Sequence, residues 1–336
     1  MAQSTAYVSP VIQSMLGVVN THLRWRNSKN DRTYDIYHPS AFGKCLRNMQ
    51  YLRYAEEGIL EMPEQCFDAD TLRIFDNGHS MHSRWENYFK EIGILMGVWQ
   101  CNNVCCRLWD DNGEVTGGLS NTSIESLDKS RIYGLEKKLG VLKPDKCVCG
   151  CRKFRYHEVT IEDKELNIRG HVDLIIDFSK LDADKYKKMV VDFNIDNLPK
   201  KPVVIDMKTM NDYRWKQKLM QTGPGIDYRV QLCIYANLLD LDFGLLFYEN
   251  KNNQKIKAFQ IDRNADTMFA WVKRQASQMR DMANLNPKKL PPPRPNDKTC
   301  YECNNCPFKK LCHDSAIWDN ESALNDQRTR FYGDLL

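Results

Sequence analysis

Asn167–Phe178 (NIRGHVDLIIDF) and Lys201–Thr209 (KPVVIDMKT) decide the reading of this chain. Each has the alternation of a strand, in which successive side chains face opposite sides. In the first, Leu166, Ile168, Gly170, Val172, Leu174 and Ile176 share one side, and Arg169, His171, Asp173 and Asp177 the other. In the second, Val203, Ile205 and Met207 oppose Val204, Asp206 and Lys208. Asp206 and Lys208 therefore point the same way. Carboxylates on neighbouring strands can hold a hard divalent cation through oxygen, and an ammonium beside them can polarise a water or a phosphate oxygen. That is the minimum apparatus for cutting a phosphodiester.

Composition sets the bounds. A chain of 336 residues is long enough for one large domain or a core with a sizeable insertion. The net charge of +4 with 27% charged residues is mild, so nucleic-acid affinity has to come from a local basic patch. Met1–Asn20 lacks the basic start and apolar core of a signal peptide, and no apolar run approaches the ~18 residues of a membrane helix, so a soluble intracellular protein is expected. Its 13 cysteines are odd in number and clustered, which favours metal ligation over disulfides.

In chain order, Pro10–Asn27 reads as a helix and Pro39–Gly58 as a second, with Ser40 as N-cap and Cys45 early within it. A cysteine there is ordinarily a small buried thiol. Phe67–Gly93 is a longer helix whose Leu72, Phe75, His79, His82, Trp85 and Phe89 recur at helical spacing, placing histidine on the buried face. The 94–152 segment opens with Cys101, Cys105 and Cys106 and closes with Cys147, Cys149 and Cys151. Two cysteine knuckles suit a closed, structural zinc ribbon on Cys101, Cys105, Cys149 and Cys151, with Cys106 and Cys147 as substitutes. Lys153–Glu162 reads as a strand; Glu158 within it is either a surface glutamate or an accessory acid. Lys180–Lys200 is loop-like.

Asn211–Lys218 mixes Arg214, Lys216 and Lys218 with Tyr213 and Trp215, a pattern suited to phosphates and stacked bases of a single strand, or equally to a solvated turn. Tyr228–Leu239 reads as a helix with Gln231 and Tyr235 on one face, Phe243–Tyr248 and Ile256–Ile261 as strands, and Asp266–Leu285 as a helix. Pro287–Pro295 is a stiff basic spacer. Beyond it Cys303, Cys306 and Cys312 are spaced C-x-x-C-x5-C, three thiols that want a fourth for zinc or an iron-sulfur cluster, with Cys300 able to replace Cys303. The tail after His313 shows no motif.

With G-x-x-D at Gly170–Asp173 and D-x-K at Asp206–Lys208, the chain resembles the PD-(D/E)XK nucleases, in particular the RecB-like branch that includes the iron-sulfur nucleases of CRISPR adaptation and the AddAB nuclease domain. Gly78–His82 (GHSMH) matches the branch's G-x-x-x-H element, which makes His82 a third metal ligand with His79 as fallback. Gln231–Tyr235 matches its Q-x-x-x-Y, placed beside the substrate phosphate. In that branch the fourth cluster thiolate comes from an N-terminal helix, which fits Cys45. The resemblance implies Mg(II) or Mn(II) on His82, Asp173, Asp206 and the Met207 carbonyl, a 4Fe-4S cluster on Cys45, Cys303, Cys306 and Cys312, and exonuclease action on single-stranded or end-opened DNA. No G-x-x-x-x-G-K-[ST] loop is present, so unwinding has to come from a separate helicase or recombinase.

The expected architecture is a mixed α/β fold, a sheet of four or five strands flanked by helices. It divides into a helical region (1–93), a cysteine-rich insertion (94–152), a nuclease core (153–286) and a cluster-bearing cap (287–336). The rival expectation is a non-catalytic nucleic-acid-binding scaffold, against which the intact His82, Asp173, Asp206 and Lys208 argue. A virus-encoded origin fits either.

Overall fold

The computed structural model describes residues 10–29, 33–63, 67–102, 132–182, 184, 197–263, 268–285 and 290–333. Its long helices are α1 (Pro10–Asn27), α2 (Leu46–Glu56), α3 (Ala69–Ile92), α4 (Ile226–Leu239), α5 (Met268–Leu285) and α6 (Glu321–Tyr332). Its strands are β1 (Leu95–Cys101), β2 (Ile132–Tyr133), β3 (Val141–Leu142), β4 (Phe154–His157), β5 (Val159–Asp163), β6 (Ile168–Val172), β7 (Leu174–Ile176), β8 (Val203–Met210), β9 (Phe243–Asn250) and β10 (Ile256–Asp262). Capping fixes α3: Asp68 accepts from Thr71 N at 2.6 Å, and Gly93, at φ 90°, ends it in the left-handed conformation.

The main sheet runs β10-β9-β8-β7-β1-β2, with β3 and β4 also paired to β1. It is mixed: β8 and β9 are parallel, the other pairings antiparallel. This is wider than the four or five strands expected, because the short strands on β1 carry no periodicity to read. The alternation read in β8 holds. Val203, Ile205 and Met207 pack in one core with Met81 of α3, and Val204 packs in the other with Val230, Leu232, Ile234 and Ala236 of α4. The sheet is thus covered on both faces, as its near-continuous apolar central strands require.

The Asn167–Phe178 stretch departs from the single strand expected. It breaks at Asp173 into β6 and β7, and Lys153–Glu162 breaks at Glu158 into β4 and β5. The cause is one shared edge. β4 takes Val98–Cys101 of β1 and β7 takes Leu95–Met96, so the chain between them leaves the sheet as the β5–β6 hairpin. Asp173 and Glu158 stand at that fork. The hairpin returns against Pro39, whose ring would lie 2.8 Å from a Cβ at Gly170; the glycine of G-x-x-D is required for that approach.

Pro39–Gly58 is also divided. A short 3₁₀ turn at Pro39–Ala41 precedes α2, and Cys45, rather than sitting inside a helix, is the N-cap of α2. On α3, Trp85 and Phe89 face the sheet as expected, but Phe75 and His79 are exposed, since the first half of the helix packs through Leu72 on Leu23 of α1. The proline stretch is no open spacer: Pro291–Pro293 are buried, and their carbonyls accept from Arg47, Tyr332 and Arg328. The motif-free tail forms α6, whose fully buried Tyr332 donates to Pro292 O at 3.0 Å and accepts from Leu46 N at 3.2 Å. None of the described helices is long and apolar enough to cross a membrane.

Candidate active site

Asp206 lies in the middle of β8 with 0% of its surface exposed. Lys208, two residues on along the same strand, brings Nζ to 2.8 Å from Oδ1, to which it donates, and to 2.7 Å from Oδ2. Among the described residues Oδ2 nevertheless accepts no hydrogen bond of sound geometry. The buried carboxylate is compensated instead by the charge of the Lys208 ammonium beside it. Across the fork, Asp173 Oδ2 accepts from Met207 N at 2.7 Å, and His82 Nδ1 stands 3.7 Å from Asp173 Oδ1.

The charges bear on one another. Burial pushes Asp206 up to about 6; Lys208 opposes this and Asp173 adds to it. Burial likewise raises Asp173. Burial pulls Lys208 down, but Asp206 and Asp173 outweigh it and hold the ammonium above its ordinary range. The ring of Tyr228, 5.1 Å from Nζ, gives that ammonium an aromatic face as well. Burial and the Lys208 charge lower His82, leaving a neutral imidazole at neutral pH. The side chain of Glu158 keeps surface exposure, yet burial of its carboxyl, with Asp173 and Glu86 nearby, pushes it up to about 8.

The fold therefore gathers His82, Asp173, Asp206 and Lys208 from three elements read separately in the sequence. Two carboxylates and a neutral imidazole are donor types that a hard divalent cation takes, although here Lys208 occupies Asp206 and the three groups do not bring one ligand atom each within 4.8 Å of one another. Gln231 and Tyr235 are buried, with Gln231 Nε2 donating to Tyr235 Oη at 3.0 Å, and burial and then Asp206 and Asp173 raise Tyr235 far above its ordinary range. Gly78 has nothing within 4 Å of a Cβ built upon it, so the helix face one turn before His82 is open.

On the 211–218 stretch Arg214, Lys216 and Lys218 are exposed, but Trp215 is only 8% exposed and packs in the core. The chain widens by one residue here, Met220 N bonding back to Trp215 O, which turns Trp215 inward. The ring left for stacking is Tyr213, 74% exposed. The sequence reading also missed Glu249. Nearly buried at the end of β9, it ion-pairs with Arg84 and accepts from Trp85 Nε1 at 2.7 Å, tying α3 to the sheet beside His82. A partner 165 residues away leaves no local signal.

Apart from the carboxylates, Cys45, Cys303, Cys306 and Cys312 line one cavity of about 220 Å³ with Arg47, Asn48 and Tyr51. Asn48 Nδ2 donates to Cys306 Sγ at 3.2 Å. Burial pushes the Cys45 and Cys312 thiols up, and Cys303 to about 12. Cys300 does not line the cavity; its sulfur caps the Tyr301–Asn304 turn. Among the described residues only Cys101, Cys147 and Cys149 bring three ligand atoms within 4.8 Å, so the four cavity thiols are more widely spread than a single ion demands. In the 94–152 segment Cys147, expected as a substitute, is thus grouped in place of Cys151, whose sulfur accepts from Lys153 N at 3.3 Å. Cys105 and Cys106 lie outside the described residues.

Comparison with known proteins adds three findings. No curated protein matches this chain. A solved structure described as "Crystal structure of SSO0001" is similar at 16% identity and a TM-score of 0.41, over 89% of this chain and 96% of that one. A family model takes in Asp206, Lys208, Gln231, Tyr235, Cys303, Cys306 and Cys312 and leaves out Cys45, His82 and Asp173: residues 189–313 match a PD-(D/E)XK nuclease superfamily domain.

Proposed function

We propose that this protein is a divalent-metal-dependent DNA nuclease, an exonuclease acting on single-stranded DNA or on opened ends in recombination, repair or phage DNA metabolism. The observation that carries the reading is the buried Asp206, ion-paired with Lys208 and standing beside Asp173 and His82. His82, Asp173, Asp206 and the Met207 carbonyl would hold Mg(II) or Mn(II). Such an ion makes water more acidic and offsets charge building on the scissile phosphate. Lys208, kept as an ammonium by the two carboxylates, orients the attacking water and the phosphate rather than taking a proton. Gln231 and Tyr235 hold each other, and through that bond the wall of the site. Arg214, Lys216 and Lys218 take phosphates, with Tyr213 offering the stacking face.

The same reading includes a 4Fe-4S cluster on Cys45, Cys303, Cys306 and Cys312, supported by the shared cavity and the Asn48 N–H···S bond, and a zinc within 94–152. The division at residues 93, 152 and 286, a soluble intracellular setting and a separate helicase or recombinase partner complete it. The test is degradation of end-labelled single-stranded DNA with Mn(II), wild type beside Asp206→Asn. Wild type should shorten the label from one end while the variant leaves it intact. A folded wild type that cuts neither DNA nor RNA with any divalent metal ends the catalytic reading.

A further inference from the structure

We propose that Cys101, Cys147 and Cys149 hold one zinc ion that fastens the end of β1 to the 147–151 turn. The assignment deepens the expectation of zinc in the 94–152 segment and rests on that alone, so it stands or falls apart from DNA cleavage. Cys101 ends β1 and is buried, as is Cys147; Cys149 is half-buried. Their three sulfurs lie within 4.8 Å of one another, and Cys101 Sγ is 3.6 Å from Cys149 Sγ. A zinc–sulfur bond of about 2.3 Å in tetrahedral geometry sets thiolates about 3.8 Å apart, a separation that the Cys101–Cys149 pair already has, while Cys147 lies within 4.8 Å of both.

The turn is shaped for the purpose. Cys147 N donates to Cys151 O and Gly150 N to Cys147 O, each at 2.8 Å, and Gly150 takes φ +89°, a conformation few other residues adopt at low cost. This folds Cys147 and Cys149 toward β1. The Tyr133 hydroxyl accepts from Val148 N at 3.2 Å, fixing the turn from the β2 side. Cys151 is held elsewhere, on Lys153. Thiolates are soft donors and the set offers no oxygen, which selects zinc over the hard ions of the carboxylate site. Binding displaces the thiol protons to solvent, and the ion changes no oxidation state.

The test uses the full chain purified without chelator. Metal analysis should give about one zinc per chain, and iodoacetamide labelling read cysteine by cysteine should show Cys149 protected on the order of tenfold until a strong chelator removes the zinc. Cys151, equally half-buried, is the internal control and should label alike before and after. Cys147→Ser should lose the zinc and Cys151→Ser keep it. The assignment is overturned by an absence of zinc, by retention in Cys147→Ser, or by loss in Cys151→Ser. It is overturned equally by a disulfide joining Cys101 to Cys149, or by zinc release that exposes Cys306 instead of Cys149. Because labelling is read on the wild type, a variant that fails to fold does not spoil the result.

Discussion

The carboxylate site and the cysteine cavity are both lined by groups whose charged forms burial disfavours, but they are assembled differently. Asp173, Asp206 and Lys208 come from adjoining strands of one sheet, within 36 residues of chain, and their repulsion is balanced internally by the Lys208 ammonium. The cavity thiols are brought together from residue 45 and from residues 303–312, and burial favours the neutral form of Cys45, Cys303 and Cys312. The first arrangement can lose its chemistry without losing the fold. The second, with Cys45 at the start of α2, lies where residues 44–51 meet residues 293–313.

This contrast can be broken by experiment. Asp206→Asn should abolish cleavage, by about 10³-fold or more, since metal-borne charge stabilisation is worth several kcal/mol, while its thermal midpoint stays near that of the wild type. Cys306→Ser should do the reverse in the first instance, lowering stability by at least ~3 kcal/mol and bleaching the visible absorbance of the purified protein. If the two variants fall together in both assays, the sites are not separable. Glu249→Ala tests the link between α3 and the sheet. Loss of the acceptor shared by Arg84 and Trp85 should cost about 2–3 kcal/mol in denaturant titration and raise the Mn(II) concentration needed for half-maximal cleavage, because His82 rides on that helix.

Smaller effects sharpen the picture. Gly78→Ala should raise stability by about 0.5–1 kcal/mol, since its Cβ meets nothing. A simultaneous fall in cleavage would identify that open helix face as the path of the substrate strand. His157 anchors β4 to β1, its Nε2 3.1 Å from Gln100 Oε1, and burial depresses it from 6.5 to about 4. Below pH 6.5 the unfolded chain takes up a proton that the folded ring refuses until about pH 4, so stability falls as pH drops through that window. His157→Gln should flatten that part of the stability profile measured from pH 7 to 4.

Much of the site was legible because its chemistry lies on strong period-2 patterns: Val203–Met207 and their alternation onto two cores were read correctly, as were the bounds of α1. Helix α3 was found nearly to its ends from the helical spacing of Leu72, Phe75, His79, His82, Trp85 and Phe89. What failed was long-range. Nothing local in Asn167–Phe178 reveals that β1 divides its edge between β4 and β7, so the break at Asp173 was invisible. Trp215 looked like a stacking platform because a widened turn rotates it out of the expected phase. Cys147 and Cys151 are equivalent by spacing, and only the backbone bonds of the turn distinguish them. Glu249 has no sequence signature, because its partners lie 164 and 165 residues away in the chain.

Tyr332 carries a consequence for how the molecule is made. It lies 286 residues beyond Leu46, yet its hydroxyl accepts from the backbone at the start of α2 and donates to the proline segment beside the cysteine cavity. During synthesis Cys45 emerges long before its three companions and the tyrosine that seals them. The closed form is therefore out of reach until Tyr332 has been made, and a nascent chain stalled before it leaves that seam open. Co-translational proteolysis should find the seam in such a stalled chain, and assembly of any cluster has to wait for Cys312.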